Sequence, residues 1–514
     1  MQHTSLNTAA RKISLGWLIF PAILAVYLLF PTKNYYWDGV FFARVIEGVP
    51  GFHPTLFHPN HLFYNAAGYL LYRMTQAAGI QWRAIEVLQF ANSIVSVLTT
   101  YLLYLILRRT VRSDYLVWAL TVIFAFSSTW WKFSTDANAY IFSVFFLLFA
   151  FYFTLENFEP RPIIVALLFS VATLLHQLAV IAYPVIALAI YWQSSAIPAR
   201  KRVMVVAQFC VLSFLVVFSI YCFAFYLLTG TTNPVRFIRW ITSYSPDASF
   251  SFDLLSNLGY TLRGNLRLFF NARLSLLRGL MNPLIIATIV LFGTVVLLWF
   301  LSIIKATSWR SANPGKAFSQ LKADKLARIS VAWIALYLVF LFFWLPHNTF
   351  YRLFYLPAII LLLAVLLKNV ERKERPTWRL GLFTAIVILF NFLFFIYPYS
   401  HIEKNPPLSL AVEMNRVWQP GTILYFHSEN SDNNLIAYFN PAIEWRPLRE
   451  VDQVSGELKQ LYAEGKTAWL EASAIDQLRS SPEGNEWLTR HGRQETWHER
   501  TARGYNVKFI QVGP

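Results

Sequence analysis

Between Leu15 and Tyr397 the sequence is a succession of long apolar runs separated by polar gaps, and runs of that length leave a chain few ways to fold. A helix needs roughly 20 apolar residues to cross the hydrocarbon of a bilayer, because each residue rises only about 1.5 Å. About eleven runs qualify, counting some shorter than ideal. They start near Leu15, Glu86, Leu116, Tyr140, Ile163, Leu178, Val203, Leu284, Ile329, Leu353 and Leu380. With 56% hydrophobic residues, 45 Phe and 18 Trp in 514 residues, the chain carries too much apolar surface for a soluble protein. The expected class is mainly α: a polytopic transmembrane helix bundle over 1–404, then a small α/β domain outside the membrane over 405–514. The first run lacks a small-residue cleavage site and reads as a retained signal anchor.

Basic residues set the orientation. They cluster in every second gap, at Arg11-Lys12, Arg108-Arg109 with Arg112, Arg161, Arg200-Lys201-Arg202, Lys305 through Arg328, and Lys368 through Arg379. Those gaps face the cytoplasm. Basic residues flank both ends of Ile163 to Trp192, so this stretch must cross an even number of times, as a helical hairpin with His176-Gln177 at its outer tip. The opposite face then receives Pro31 to Arg83, Trp130 to Asn138, Gly230 to Asn282, Pro346 to Arg352 and everything after Tyr397. The tail loses its apolar runs at Pro406-Pro407. In it Gly421 to His427, Leu435 to Phe439 and Val507 to Val512 read as strands, and Ser455 to Glu464 and Asn485 to His491 as helices. A packing or docking role is favoured for this domain. Cys210 and Cys222 share one apolar stretch about 18 Å apart at helical rise, which excludes a disulfide between them.

The chemistry-bearing residues collect on that same outer face. Asp38 follows the first span within Tyr35-Tyr36-Trp37-Asp38-Gly39, and carboxylates are costly near hydrocarbon unless they work. The bland reading is a solvated loop acid. His58-Pro59-Asn60-His61 comes about twenty residues later. Asp136 follows Trp130-Trp131-Lys132 and suits either a second catalytic carboxylate or an ion pair with Lys132. His176 is either a satisfied core histidine or a substrate contact. Arg352, with His347 nearby, is either a phosphate ligand, since a guanidinium holds phosphate through two hydrogen bonds, or an interfacial arginine that anchors its helix. Arg236, Arg239, Arg263, Arg267, Arg273 and Arg278 oppose the positive-inside trend. Their apolar neighbours, among them Phe237, Trp240 and Leu266, suggest helices along the interface whose cationic edge meets anionic headgroups or a phosphorylated carrier.

The order of an acid after the first span and a His-Pro pair about twenty residues on, from Trp37-Asp38-Gly39 through Phe57-His58-Pro59-Asn60-His61, resembles the first outer loop of the GT-C glycosyltransferases. Protein O-mannosyltransferases and lipid A aminoarabinose transferases share this layout. Relatives often carry Asp-Glu where this chain has Asp38-Gly39, and a second proline where it has Asn60. The resemblance implies a bacterial inner-membrane enzyme that takes a sugar from a polyprenyl-phosphate donor and passes it to a glycan, lipid or protein acceptor on the periplasmic face. It covers the first four hundred residues or so, with Asp136, His176, His347 and Arg352 matching by placement alone.

Such a transfer needs one base for the acceptor and a cation for the departing phosphate. Asp38 is the base, and direct displacement inverts the anomeric centre. Arg352 is the cation, assisted by His58, His61 and His347. A second carboxylate as general acid is not demanded, because phosphate already leaves well. Asp38, Asp136 and a histidine leave open a site for Mg²⁺ or Mn²⁺, although a metal-free mechanism is favoured. His53, His58 and His61 read as loop histidines and not as a zinc site. The net charge of +17 belongs to a membrane protein with a basic cytoplasmic side and not to a nucleic-acid binder. A transporter or flippase of lipid-linked saccharide is the alternative, disfavoured by the scarcity of acids within the spans. A noncatalytic scaffold is the third reading.

Overall fold

The computed structural model describes residues 15–155, 161–193, 197–242, 250–277, 280–304, 323–370, 377–427, 431–448, 450–500 and 506–514. The basic gaps at Arg11-Lys12, most of Lys305 through Arg328 and part of Lys368 through Arg379, together with Arg278, lie outside them. Among the described residues five helices are long and apolar enough to cross a membrane: Ala84–Thr110, Ala199–Thr229, Pro283–Ser302, Lys325–Phe343 and Trp378–Tyr399. Asp114–Phe126 and Ser128–Ser134 form a sixth such element, bent by 62°. The other expected runs are shorter apolar helices, Ile19–Leu29, Tyr140–Tyr152, Pro162–Leu175, Gln177–Gln193 and Leu356–Lys368.

The breaks have chemical causes. At Ser127 the backbone turns extended, its hydroxyl donates to the Phe124 carbonyl (2.9 Å), and the helix restarts at a new angle. Hydroxyl side chains compete with the backbone ladder in this way. His176 separates Pro162–Leu175 from the next helical turn, and its ring caps that turn by accepting from Leu178 N (3.1 Å). The chain reverses there. Ser170 lies at Ser213 on helix Ala199–Thr229 and Leu174 packs by Tyr221, whereas Tyr183 bonds the Cys210 carbonyl (2.7 Å) and Tyr191 sits over Arg202. The two arms therefore run in opposite directions along one neighbour. Cys210 and Cys222 are both free thiols on that neighbour.

The chain divides into two compact units, Met1–Pro31 with Val45–Ile396, and Thr32–Arg44 with Tyr397–Pro514. The first holds the helix bundle. Its surface helix Pro234–Thr242 packs Phe237, Trp240 and Ile241 against Leu62, Leu174 and Tyr221 while Arg236 and Arg239 stay outside the core.

The second unit is built on a five-stranded sheet. Its strands are β1 (Ile423–Phe426), β2 (Glu444–Pro447), β3 (Ala468–Leu470), β4 (Gly492–Arg500) and β5 (Asn506–Val512), ordered β2-β1-β3-β5-β4. β1 runs parallel to β2 and β3, and β5 antiparallel to β3 and β4. Alternation along β1 sends Ile423 and Tyr425 to a core with Val454, Leu458, Ile475 and Leu478, and Leu424 to a second core with Leu410, Met414 and Ile436. Helices thus cover both faces, as parallel strands require. Leu435 to Phe439, expected as a strand, lies instead in helix Ser431–Phe439. Short apolar runs do not distinguish the two states by themselves, and here packing against helix Pro406–Val417 decides. The segment Thr32–Arg44 is tied into this unit by Lys33 N to the Tyr399 carbonyl (2.7 Å), Asn405 to the Lys33 carbonyl (2.6 Å), Tyr35 stacked on Phe439, and Arg44 bonded to Asn434.

Candidate functional site

Within the first unit, four stretches that lie far apart in sequence converge. The loop bearing His58-Pro59-Asn60-His61 is pinned at three points. Gln177 N donates to the Asn60 carbonyl (3.0 Å), Phe63 N to the Leu174 carbonyl (3.0 Å), and the Tyr221 hydroxyl to the Pro59 carbonyl (2.7 Å). This brings three histidine rings into a row, His58 to His61 at 5.1 Å and His61 to His176 at 5.3 Å. Tyr140 (4.8 Å), Phe354 (5.4 Å) and Tyr351 (5.9 Å) complete the shell around His176. Burial pushes His58 below the usual imidazole range, and it pushes His61 well below it, with His176 and His58 adding to the effect. In His58 and His176 the Nδ1 atom accepts a backbone N–H, from Asn60 and Leu178 respectively, which leaves the proton on Nε2. Both rings are therefore neutral donors.

Asp136 is fully buried and paired with Lys132 one helical turn earlier. Its Oδ1 accepts from Ala137 N (2.9 Å), and its carbonyl accepts from Asn92 (2.6 Å). The ion pair among the two sequence readings is the arrangement observed. Tyr64, just after the histidine loop, faces this carboxylate, and burial together with that charge pushes its phenol up. Among the described residues no three His, Cys, Asp or Glu side chains form a cluster able to hold a metal ion.

Arg352 is also fully buried. Its Nη2 donates to the Pro346 carbonyl (2.8 Å) and its Nη1 to the Tyr355 hydroxyl (3.0 Å), which in turn donates to Asn265 Oδ1 (2.8 Å). Nε has no hydrogen-bond partner among the described residues, and no carboxylate there pairs with the guanidinium. Leu345, which precedes the Pro346 acceptor, holds φ at 52°, a costly conformation for a branched residue. Helix Leu254–Phe269 comes close enough to Arg352 only because position 264 is glycine. A Cβ there would lie 2.9 Å from Cζ and 3.0 Å from Nη2. The same helix ends on the hydroxyls of Ser128 (2.5 Å) and Thr129 (2.7 Å), both donating to the Arg267 carbonyl. Phe133 meets Phe350 at 5.5 Å, so the Asp136 turn and the Arg352 turn adjoin.

The other residues singled out by sequence lie elsewhere. Arg267 is half-buried and Arg263 exposed on helix Leu254–Phe269. His347 is exposed beside Tyr260 (6.3 Å) and stands outside the histidine row. Asp38 belongs to the second unit, half-buried in the first turn of helix Trp37–Gly48, where the helix dipole favours a carboxylate. Sequence reasoning passed over Tyr64, Tyr140, Tyr355, Asn265 and Gly264. A glycine inside a helical pattern was the one legible signal, since it often marks close approach.

No protein-family profile matches the chain, and no characterised protein matches it by sequence. Solved structures do. The apo state of ArnT from Cupriavidus metallidurans superposes with a TM-score of 0.58 at 13% identity, covering 97% of this chain and 99% of that one. The same protein bound to undecaprenyl phosphate gives 0.59 at 11% identity, covering 97% and 98%. At this identity the likeness is one of fold.

Proposed function

We propose that the protein is a glycosyltransferase that moves a sugar from a polyprenyl-phosphate carrier to an acceptor at the periplasmic face of a bacterial inner membrane. The observation that carries this reading is Arg352, a buried guanidinium with no carboxylate partner among the described residues, in a fold shared with a protein solved with undecaprenyl phosphate. Burying an unpaired cation is expensive, and a phosphate anion removes that cost. Two guanidinium hydrogens are already spent on Pro346 and Tyr355, which holds the plane fixed for the ligand. The neutral donors His58 and His176 can add hydrogen bonds to phosphate or sugar oxygens without adding charge.

The acceptor's hydroxyl or amine attacks the anomeric carbon as the carbon–oxygen bond to phosphate breaks. The bonding pair leaves with the phosphate, and Asp38 takes the acceptor's proton. Attack opposite the leaving group inverts the anomeric centre. Asp136, already engaged by Lys132 and Ala137 N, positions the turn beside Tyr64 and Asn92. Divalent cations supply no step in this scheme.

The test uses the purified full chain with a labelled polyprenyl-phosphate sugar and a membrane acceptor extract. Labelled product and free polyprenyl phosphate are expected. Asp38→Asn lowers turnover by roughly 10²–10⁴, the usual worth of a general base, with carrier binding retained. Arg352→Gln weakens carrier binding instead. Movement of the labelled lipid across vesicles with no product formed would replace this reading with that of a flippase.

A further inference from the structure

We infer that Asn391 is a positioning residue for the carrier: it fixes the end of helix Leu254–Phe269 and through that helix sets the guanidinium of Arg352, an inference that rests on the carrier reading of Arg352. The helix is seated in an unusual way. It turns Leu255, Leu262 and Leu266 outward and buries Asn257, Thr261, Gly264 and Leu268, of which Leu268 alone is a large apolar side chain. Burial of an apolar stripe, the usual means of holding a helix against its neighbours, therefore does little to place this one. Hydrogen bonds have that task.

The last four carbonyls of a helix have no partner within it. Here the Leu266 carbonyl takes Phe270 N (2.9 Å), and the next three are met by side chains of other elements. Ser128 and Thr129 donate to the Arg267 carbonyl (2.5 and 2.7 Å), Ser128 stands 3.4 Å from the Leu268 carbonyl, and the Asn391 amide donates to the Phe269 carbonyl (2.7 Å). The other amide hydrogen of Asn391 goes to the Phe126 carbonyl (2.9 Å), at the end of helix Asp114–Phe126, and its Oδ1 accepts from Asn271 N (3.4 Å). One fully buried amide thus joins the break at Ser127 to the end of Leu254–Phe269. The lacing continues along the π turn Phe392–Ile396. Residue 398 is a proline with no N–H to offer the Phe394 carbonyl, which takes Arg273 N instead (2.7 Å). One turn before the capped end, Asn265 accepts from the Tyr355 hydroxyl (2.8 Å), Tyr355 accepts from Arg352 (3.0 Å), and Gly264 lies against the guanidinium. Loosening the end moves Asn265 and Gly264 with it, and so tilts the plane that the phosphate must meet. A bare capping role costs stability alone, whereas this lever costs recognition of phosphate.

Purified full-length protein in neutral detergent is offered undecaprenyl phosphate or undecaprenol, and both affinities are read by native mass spectrometry beside the melting temperature. Asn391→Leu, of similar size but without the amide, is expected to bind undecaprenyl phosphate about tenfold more weakly, the equivalent of one charge-assisted hydrogen bond, with undecaprenol binding unchanged. Ser128→Ala/Thr129→Val, which strips the adjacent carbonyl of the same helix end, is expected to do the same and serves where Asn391→Leu fails to fold. Tyr183→Phe removes a buried-end hydrogen bond to the Cys210 carbonyl elsewhere in the bundle, and should lower the melting temperature without changing the preference for the phosphorylated lipid. In an Arg352→Lys background the ammonium keeps the charge but has no planar fork for Tyr355 to hold, so the effect of Asn391→Leu on that preference should disappear. Equal loss of both lipids, a preference unchanged from wild type, or the same fall in preference with lysine at position 352 overturns the inference. If Arg352→Gln alone leaves the preference intact, the carrier reading falls and takes the inference with it. If Arg352→Gln abolishes the preference while Asn391→Leu keeps it, only the positioning role is lost.

Discussion

Replacing Gly264 by alanine perturbs Arg352 without touching its chemistry. In an ordinary helix interior the change is favourable by about 1 kcal/mol, because glycine loses more backbone entropy on folding. Here the new methyl would sit 2.9 Å from Arg352 Cζ and 3.0 Å from Nη2, closer than real Cβ contacts allow. The guanidinium cannot yield without stretching its bonds to the Pro346 carbonyl (2.8 Å) or the Tyr355 hydroxyl (3.0 Å). Overpacking costs about 1–3 kcal/mol and one lost charged hydrogen bond about 1.5–3, so after the helical gain the net cost is roughly 1.5–5 kcal/mol. Gly259 supplies the control. It lies on the same helix with nothing within 4 Å of an added Cβ, so Gly259→Ala should stabilise by up to about 1 kcal/mol. Unfolding both variants in mixed micelles measures the difference, and native mass spectrometry with undecaprenyl phosphate measures binding, expected to fall at least tenfold for Gly264→Ala alone. Should the two alanine variants prove equally stable and bind the lipid like wild type, the guanidinium is not held as described, and the carrier reading loses its cation.

Lys132→Met leaves the Asp136 carboxylate buried without its partner and should cost about 3–5 kcal/mol, most of it recovered in Lys132→Met/Asp136→Asn, as denaturation in micelles would record. The histidine row should make stability fall in mild acid. His58 and His61 hold folded pKa values below the unfolded 6.5, so their stabilisation is complete above that pH and is lost as pH drops toward the folded values. Each contributes a slope of at most about 1.4 kcal/mol per pH unit, and melting curves between pH 6.5 and 5, above the carboxylate range, should flatten in His58→Gln/His61→Gln. Tyr221→Phe removes the bond that pins the Pro59 carbonyl; a loss of about 1 kcal/mol with weakened carrier binding is expected, and unchanged binding would mean the loop keeps its shape without it.

Much of the bundle was legible because hydrocarbon imposes one rule on every span. Long runs such as Ala84–Thr110 and Ala199–Thr229 announce themselves by length, and the reversal at His176 follows from basic residues flanking both ends of Ile163 to Trp192, which require an even number of crossings. The tail was harder. Four or five apolar residues serve a strand or a helix turn equally well, so Leu435 to Phe439 was misread until helix Pro406–Val417 supplied a partner face. Nothing local to Thr32–Arg44 indicated that it folds with residues after Tyr397, because that association rests on contacts more than 350 positions apart in sequence.

The site divides along the same line. Residues that are anomalous where they stand, a histidine pair beside a proline or an arginine at the head of an apolar run, can be picked out one at a time. Their partners cannot, since Tyr355, Asn265 and Gly264 are unremarkable in sequence and acquire meaning only when helix Leu254–Phe269 meets the Arg352 turn. This asymmetry also explains why Asp136 was left with two readings. Its spacing of four from Lys132 fits one helical turn, but whether the pair closes depends on burial, and only in a site that excludes water does that pairing become the dominant interaction of both groups. Asp38 stays the proposed base on a different footing, its position in the first-loop motif, which is a signal local to the sequence.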